Sequence, residues 1–232
     1  MTAPRVLSVS VGGVQSLRWH GRAVPSGIAK VPVSGPVAVG KRGVVGHEQG
    51  DRRNHGGPDK AILAYPDEHY QAWGDDLGTR GVPSFGENLT ITGLLETEAL
   101  IGSVYNIGTA TVQVSQPRRP CFKLAAFHGI DDLAVVTQRT GRTGFYLRVL
   151  VPGRISSGNV MMLQHAPRHG ITVAEVHRVL NIDRGDVPAI RRLLDETGVL
   201  PQSWSTLLRK RLAGRRESDS RRLHGRPPDA PG

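Results

Sequence analysis

In the first two thirds of this chain, runs of β-branched and apolar residues are short, and each is cut off by glycine or proline. The runs are Val6–Val11, Ile28–Val33, Val37–Val39, Ala61–Tyr65, Ser103–Ile107, Thr111–Val114, Phe145–Val151 and Val160–Leu163. None has the length or the 3.6-residue period of a buried helix, and the turn residues between them supply the backbone angles that strand reversals need. Many short strands with frequent turns predict a barrel or a sandwich, so residues 1–165 read as mainly β.

Two helices are expected to interrupt the strands. One runs from about Asp67 to Leu77 behind Pro66, and one from Asp131 or Asp132 to Thr140, with an aspartate at its start and Gly141 as its stop. The period changes near His165–Gly170. Thr172-Val-Ala-Glu175 is a capping box opening a helix to about Leu180. Asp186 starts a second helix that ends before Gly198, with Val187, Ile190, Leu193 and Leu194 on its apolar face. Ser203 is expected to cap a third that runs to Ala213 and stops at Gly214. The division is therefore a β-barrel domain at 1–165, with peripheral helices, a small three-helix domain at 170–214, and a polar, Pro/Gly-rich tail at 215–232 that reads as disordered.

Charge has an uneven distribution. Residues 1–165 carry 17 Lys and Arg against 12 Asp and Glu, and residues 166–232 carry 13 against 8, so the shorter part holds half of the net +10. The tail suggests an anionic partner. Nucleic acid is disfavoured, because no aromatics interleave the arginines and no DNA-binding motif is present. No stretch has the roughly 20 apolar residues of a membrane helix, and the N-terminus lacks a signal-peptide core, so a cytoplasmic location is expected.

Cys121 is the only cysteine of 232 residues. An internal disulfide and an iron–sulfur cluster of the chain's own thiolates are both excluded. Its segment, Gln116-Pro-Arg-Arg-Pro-Cys-Phe-Lys-Leu124, stiffens the backbone with Pro117 and Pro120 and sets Arg118, Arg119 and Lys123 within three residues of the sulfur. Nearby positive charge favours the thiolate, the form that attacks electrophiles and binds metals. Three further segments set polar side chains beside glycine: Gly46–Ala61, with His55, Gly56, Gly57 and Asp59; Phe85-Gly-Glu-Asn-Leu89, with Glu87 and Asn88; and Gly141-Arg-Thr-Gly-Phe-Tyr-Leu-Arg-Val149, with Arg142 and Arg148. Each alone reads equally well as a polar turn. The two arginines of the third can also clamp a phosphate, whose oxygens suit the guanidinium fork.

Taken together and in order, His55–Ala61, Phe85–Leu89, Gln116–Leu124 and Gly141–Val149 resemble the motifs of the MOSC domain proteins, in particular the YiiM type with its short C-terminal three-helix domain. The resemblance covers nearly the whole chain. Two positions depart from it: His47 stands after Gly46, and Asn159 after Gly158, where the family commonly has aspartate. The resemblance implies a MOSC-type β-barrel and the molybdenum cofactor, not pyridoxal phosphate. It makes Cys121 the catalytic metal ligand. Asp59, Glu87, Asn88, Gln116, Arg118, Lys123, Arg142 and Arg148 become candidates for holding the pterin and its phosphate, and His55 a second catalytic residue that orients substrate or carries a proton. It implies reduction of N-hydroxylated compounds, hydroxylamino-purines and -pyrimidines or amidoximes, by a cytoplasmic enzyme supplied with electrons by an external flavoprotein or ferredoxin-type donor. It leaves room for a homodimer. Three rival readings stand beside it: a carrier of the cofactor or of sulfur, with a persulfide on Cys121; a cysteine hydrolase with His55 or His128 as base; and a nucleic-acid module acting through the tail. Pro120, directly ahead of the thiol, argues against a helix start at Cys121, the setting many cysteine nucleophiles use.

Overall fold

The computed structural model describes residues 3–50, 56–74, 81–196, 198 and 200–225. The strands are β1 (Arg5–Val11), β2 (Gln15–Trp19), β3 (Arg22–Ser26), β4 (Val31–Pro32), β5 (Val37–Gly40), β6 (Gly43–Val44), β7 (Ile62–Pro66), β8 (Leu89–Thr92), β9 (Val104–Ile107), β10 (Ala110–Pro117), β11 (Phe145–Val151), β12 (Gly153–Ile155) and β13 (Met161–His165). The helices are α1 (Glu68–Trp73), α2 (Phe122–His128), α3 (Leu133–Thr140), α4 (Val173–Asn181), α5 (Val187–Glu196), α6 (Gln202–Leu212) and α7 (Ser220–His224), and a 3-10 turn spans Pro58–Lys60.

Eight strands form one sheet in the order β13-β9-β10-β11-β7-β8-β1-β4 that curls into a half barrel. Only the β7–β8 pair is parallel; the other neighbours run antiparallel. Every residue of β7 is buried. It therefore shows the continuous apolar run of a strand covered on both faces rather than an alternating one. Register shifts in β10 at Thr111/Val112 and Val114/Gln116 add local bend, the usual device by which a sheet curls, and the second re-aims Gln116. The mainly β reading of the first 165 residues holds.

Of the expected strand Ile28–Val33, only Val31–Pro32 pairs, as the edge strand β4. Proline lacks the N–H that an interior ladder needs, so the run cannot be a central strand. The β2–β3 hairpin carries no run of apolar residues, because half of its residues are polar and most are exposed. Its signal is the two-residue turn His20–Gly21, both at positive φ, the conformation a tight hairpin requires.

The helices after residue 170 form where expected. Thr172 accepts a hydrogen bond from the Glu175 N–H at 3.0 Å, and Asp186 accepts one from Ala189 at 3.0 Å. Ser203 lies inside α6, whose N-cap position is Pro201. Of the helix expected over 67–77, α1 covers Glu68–Trp73, and residues 75–77 lie outside the described residues. Val173, Val176, Leu180, Ile190, Leu193, Trp204 and Leu208 belong to the same apolar cluster as Val112, Val114 and Leu147 of the sheet.

The disordered tail expected from residue 215 is corrected for 215–225. Ser220–His224 is helical, Leu223 is buried, and the Trp19 indole N–H donates to the His224 carbonyl at 2.9 Å. Charge pairing reinforces the burial of Leu223, which is why the segment's polar composition misleads. Asp219 meets Arg119 at 3.0 Å and Arg222 at 2.9 Å, and Glu217 pairs with Arg184 at 2.8 Å and with Arg211. Residues 226–232 lie outside the described residues.

Candidate functional site

Strand β10 delivers the chain to the site. After Pro117 it leaves the sheet, with the Arg118 N–H donating to the Gly144 carbonyl at 3.0 Å, and Cys121 becomes the N-cap of α2 in extended geometry, φ −137° and ψ 164°. The expectation that Pro120 bars a helix start is thus corrected: an N-cap residue is itself extended, so a proline just ahead of it costs nothing.

Cys121 is 9% exposed and lies where two chambers meet. The smaller, of about 80 Å³, is walled by Lys30, His47, Lys60, Asn88, Arg118 and Lys123, together with Cys121 and Tyr146. The larger, of about 790 Å³, shares Lys60, Cys121, Lys123 and Tyr146 with it, and is bounded further by Gln116, Phe122, Trp204 and Arg221. Four of the smaller chamber's wall residues are basic side chains against one carboxylate, Glu48, a surplus that favours an anion.

The cations are costly to bury, and the site shows it. Burial pushes Lys30 well below the usual lysine range, with Arg118 adding to the effect and Glu87 opposing it. Its ammonium donates to the Gly86 carbonyl. The Arg118 Nη1 is buried and has no hydrogen-bond partner among the described residues. His47 is held down at about 4 by burial and by the charge of Lys30, against the pull of its bond to the Gly12 carbonyl at 3.1 Å, so it stands neutral between them. Tyr146 is pushed up to about 12 by burial, with Arg118 opposing and Cys121 reinforcing. A second buried atom with no hydrogen-bond partner among the described residues is the Gln116 Oε1; the Nε2 of the same amide donates to the Asp59 carbonyl at 3.1 Å. Buried polar atoms without partners are rare in native folds and point to a missing ligand.

The structure brings together Cys121, Asn88, Arg118, Lys123 and Gln116 of the residues expected from the sequence. The Asn88 amide is largely spent on the fold: it accepts from Leu63 N–H at 3.2 Å and donates to the Ser10 carbonyl at 3.3 Å, stitching β1, β7 and β8. Glu87 is fully buried behind the wall, taking hydrogen bonds from the Tyr70 hydroxyl at 2.5 Å and the Phe85 N–H at 3.0 Å. Asp59 and Arg148 pair with each other at 2.8 Å and line neither chamber. Arg142 also lines neither; it sits over the Trp73 ring at 5.4 Å and donates to the Ala72 carbonyl. The Gly141–Gly144 turn is instead a structural joint: Glu96 accepts from the N–H groups of Thr143 at 2.9 Å and Gly144 at 2.6 Å. Arg119 lines the larger chamber with Cys121, but its guanidinium is tied to Asn181 and Asp219. His55 lies outside the described residues. Asn159 closes a turn by accepting from Ser156 N–H at 2.9 Å.

Sequence reasoning missed Lys30, Lys60, Tyr146, Trp204 and Arg221. Lys60 and Tyr146 stand inside the quoted motifs and were recoverable; Lys30, Trp204 and Arg221 carry no local signal. Among the described residues, no group of three or more His, Cys, Asp or Glu is placed to hold a metal, and no helix is long and apolar enough to cross a membrane.

A half barrel with a cysteine at the head of a short helix, facing a cationic chamber, defines the class: the chain belongs to the MOSC domain family, whose model matches residues 51–162. It is 38% identical over 207 residues to Protein YiiM of Escherichia coli, covering 87% of this chain and 92% of that one. The crystal structure of YiiM from Geobacillus stearothermophilus superposes with a TM-score of 0.74 at 36% identity, covering 90% of this chain and 99% of that one. A protein named Reductase from Gibberella moniliformis is 34% identical over 180 residues, which are 75% of this chain and 32% of that protein.

Proposed function

We propose that this protein is a molybdenum-cofactor-dependent reductase of N-hydroxylated compounds. The observation that carries the reading is the placement of the chain's one thiol at the meeting point of a cationic chamber and a larger one. The MOSC family is associated with molybdenum cofactor binding, and a relative named as a reductase supports the redox assignment.

The residues present fit that cofactor. Its pterin phosphate is an anion, and Lys30, Arg118 and Lys123 line the chamber that would receive it. The uncommitted Arg118 Nη1 is a donor awaiting an oxygen. The metal would bring its own sulfur ligands and needs one soft donor from the protein, which Cys121 alone can supply. Bound there, the cofactor supplies two-electron removal of oxygen: R–NHOH, two electrons and two protons become R–NH₂ and water. The chain's own residues bind, orient and shield. The cations fix the anionic end, the Phe122 and Trp204 rings line the larger chamber, and Tyr146, held protonated to about pH 12, is a hydrogen-bond donor on the wall shared with Cys121. The electrons come from an external flavoprotein or ferredoxin-type donor, since one cysteine cannot hold a cluster of the chain's own.

The test is molybdenum and pterin content of the wild type against Cys121→Ser, measured by mass spectrometry on protein purified from a cofactor-competent host. Serine keeps the size and loses the soft donor. Loss of molybdenum with an unchanged circular dichroism spectrum is expected; equal molybdenum in both proteins overturns the reading.

A further inference from the structure

The larger chamber extends to about 790 Å³, and its far wall is built by the C-terminal segment. That segment is fixed in place. Arg222 donates to the Pro120 carbonyl, one residue before Cys121, and to Gln138 Oε1 at 2.6 Å. Asp219 receives Arg119, Arg184 and Arg222 at 3.0, 3.5 and 2.9 Å. Gly225, at φ +71°, lies so close to Phe122 and Trp19 that a Cβ there would stand 3.0 Å from both rings. Arg119 and Arg222 are consumed by this clamp. Arg221 is not: it is exposed, lines the chamber, and makes no side-chain hydrogen bond or ion pair among the described residues. Lys60 lines the same chamber, as do the rings of Phe122 and Trp204 and the uncommitted Gln116 Oε1.

From this we infer that Arg221, with Lys60, forms an anion subsite in the substrate chamber, and that the substrates of this protein are phosphorylated bases, nucleoside monophosphates in class, rather than free bases. The inference rests on the reading above and deepens it. A planar base suits Phe122 and Trp204, an N–H of its amino edge suits the Gln116 acceptor, and a phosphate suits an uncommitted guanidinium that shares its chamber with a lysine. A free base leaves the cationic end of an already basic chamber unmatched.

The test needs no turnover. Full-length protein is titrated at low salt with adenine, adenosine and adenosine 5′-monophosphate, the amine-product series, following tryptophan fluorescence and heat. The monophosphate is expected to bind at least about tenfold more tightly than the nucleoside, about 1.4 kcal/mol. Arg221→Ala abolishes the difference while leaving adenosine binding unchanged. Arg216→Ala, on the same segment but outside the chamber wall, keeps it, which separates a subsite from general attraction to a basic protein. Equal binding of nucleoside and monophosphate, or a preference that survives Arg221→Ala, overturns the subsite while leaving the reductase reading intact. Failure of all three ligands to bind overturns both the subsite and a base as substrate; loss of molybdenum from Cys121→Ser still reports on the cofactor independently.

Discussion

At the scale of single residues, the site sets charge against burial. Arg118 is 6% exposed with a buried Nη1 that has no partner among the described residues, and an unsatisfied buried donor costs about 1–3 kcal/mol. Arg118→Met is therefore expected to raise the melting temperature while cutting retention of the anionic cofactor at least tenfold. Differential scanning fluorimetry and pterin content check the two halves; a variant that loses stability and keeps the pterin contradicts the assignment. His47 gives the site a pH signature. Its folded value, about 4, lies below the ordinary 6.5, so between those limits the unfolded chain binds the proton that the folded one refuses. Stability contributed by neutral His47 is present above about pH 6.5 and is lost as pH falls toward 4. Each pH unit is worth about 1.4 kcal/mol, and solvent screening at a partly exposed ring reduces the total to about 1–2 kcal/mol. His47→Gln should flatten the acid limb of urea-derived stability over that window by this amount; an unchanged slope rejects the account.

At the scale of elements, one joint places the thiol: the Gly141–Gly144 turn, from which β11 starts and to whose last carbonyl the Arg118 N–H is tied. Gly144 has φ +69°, and a Cβ there would lie 2.5 Å from the Ala64 carbonyl of β7. Gly144→Ala combines backbone strain with overpacking and should cost about 2–4 kcal/mol in urea titration. Gly129→Ala is the matched control: φ is +74° but nothing lies within 4 Å, so only strain of about 1–2 kcal/mol is expected. Equal losses would show that close approach is not what the position requires. This joint marks the limit of what the sequence makes legible. The thiol, its flanking cations and the strands of the main sheet were visible, because β-branched runs and turn residues act locally. The hairpin β2–β3, the helix α2 and the docked α7 were not. Their stability comes from turn geometry, from the cap at Cys121 and from arginine–carboxylate pairs with residues up to a hundred positions away. The same long range explains the reassignment of Arg142, Arg148 and Asp59, whose motif neighbours face the chambers while their own side chains do not.

At the scale of the whole molecule, the division of labour by sequence differs from the division by packing. Periodicity separates residues 1–165 from a helical remainder, yet the apolar faces of α4, α5 and α6 join the cluster built by β10 and β11 rather than closing on one another alone. Ile171, Val173 and Val176 are fully buried in it. The clamp of Asp219 and Arg222 then ties the far end of the chain back to the Cys121 loop, so the thiol is held from both halves. A core shared in this way predicts one cooperative unfolding event. Scanning calorimetry of the full chain should give a single peak whose calorimetric and van't Hoff enthalpies agree. A fragment ending at residue 165 leaves the helix-covered part of that cluster facing water, and is expected to bind a hydrophobic dye and melt without a sharp transition. Two resolved peaks in the full chain, or a 1–165 fragment that melts sharply near the full-length temperature, would mean that the helices sit on a barrel already complete without them. The C-terminal wall of the larger chamber would then be an attachment rather than part of the fold that makes the site.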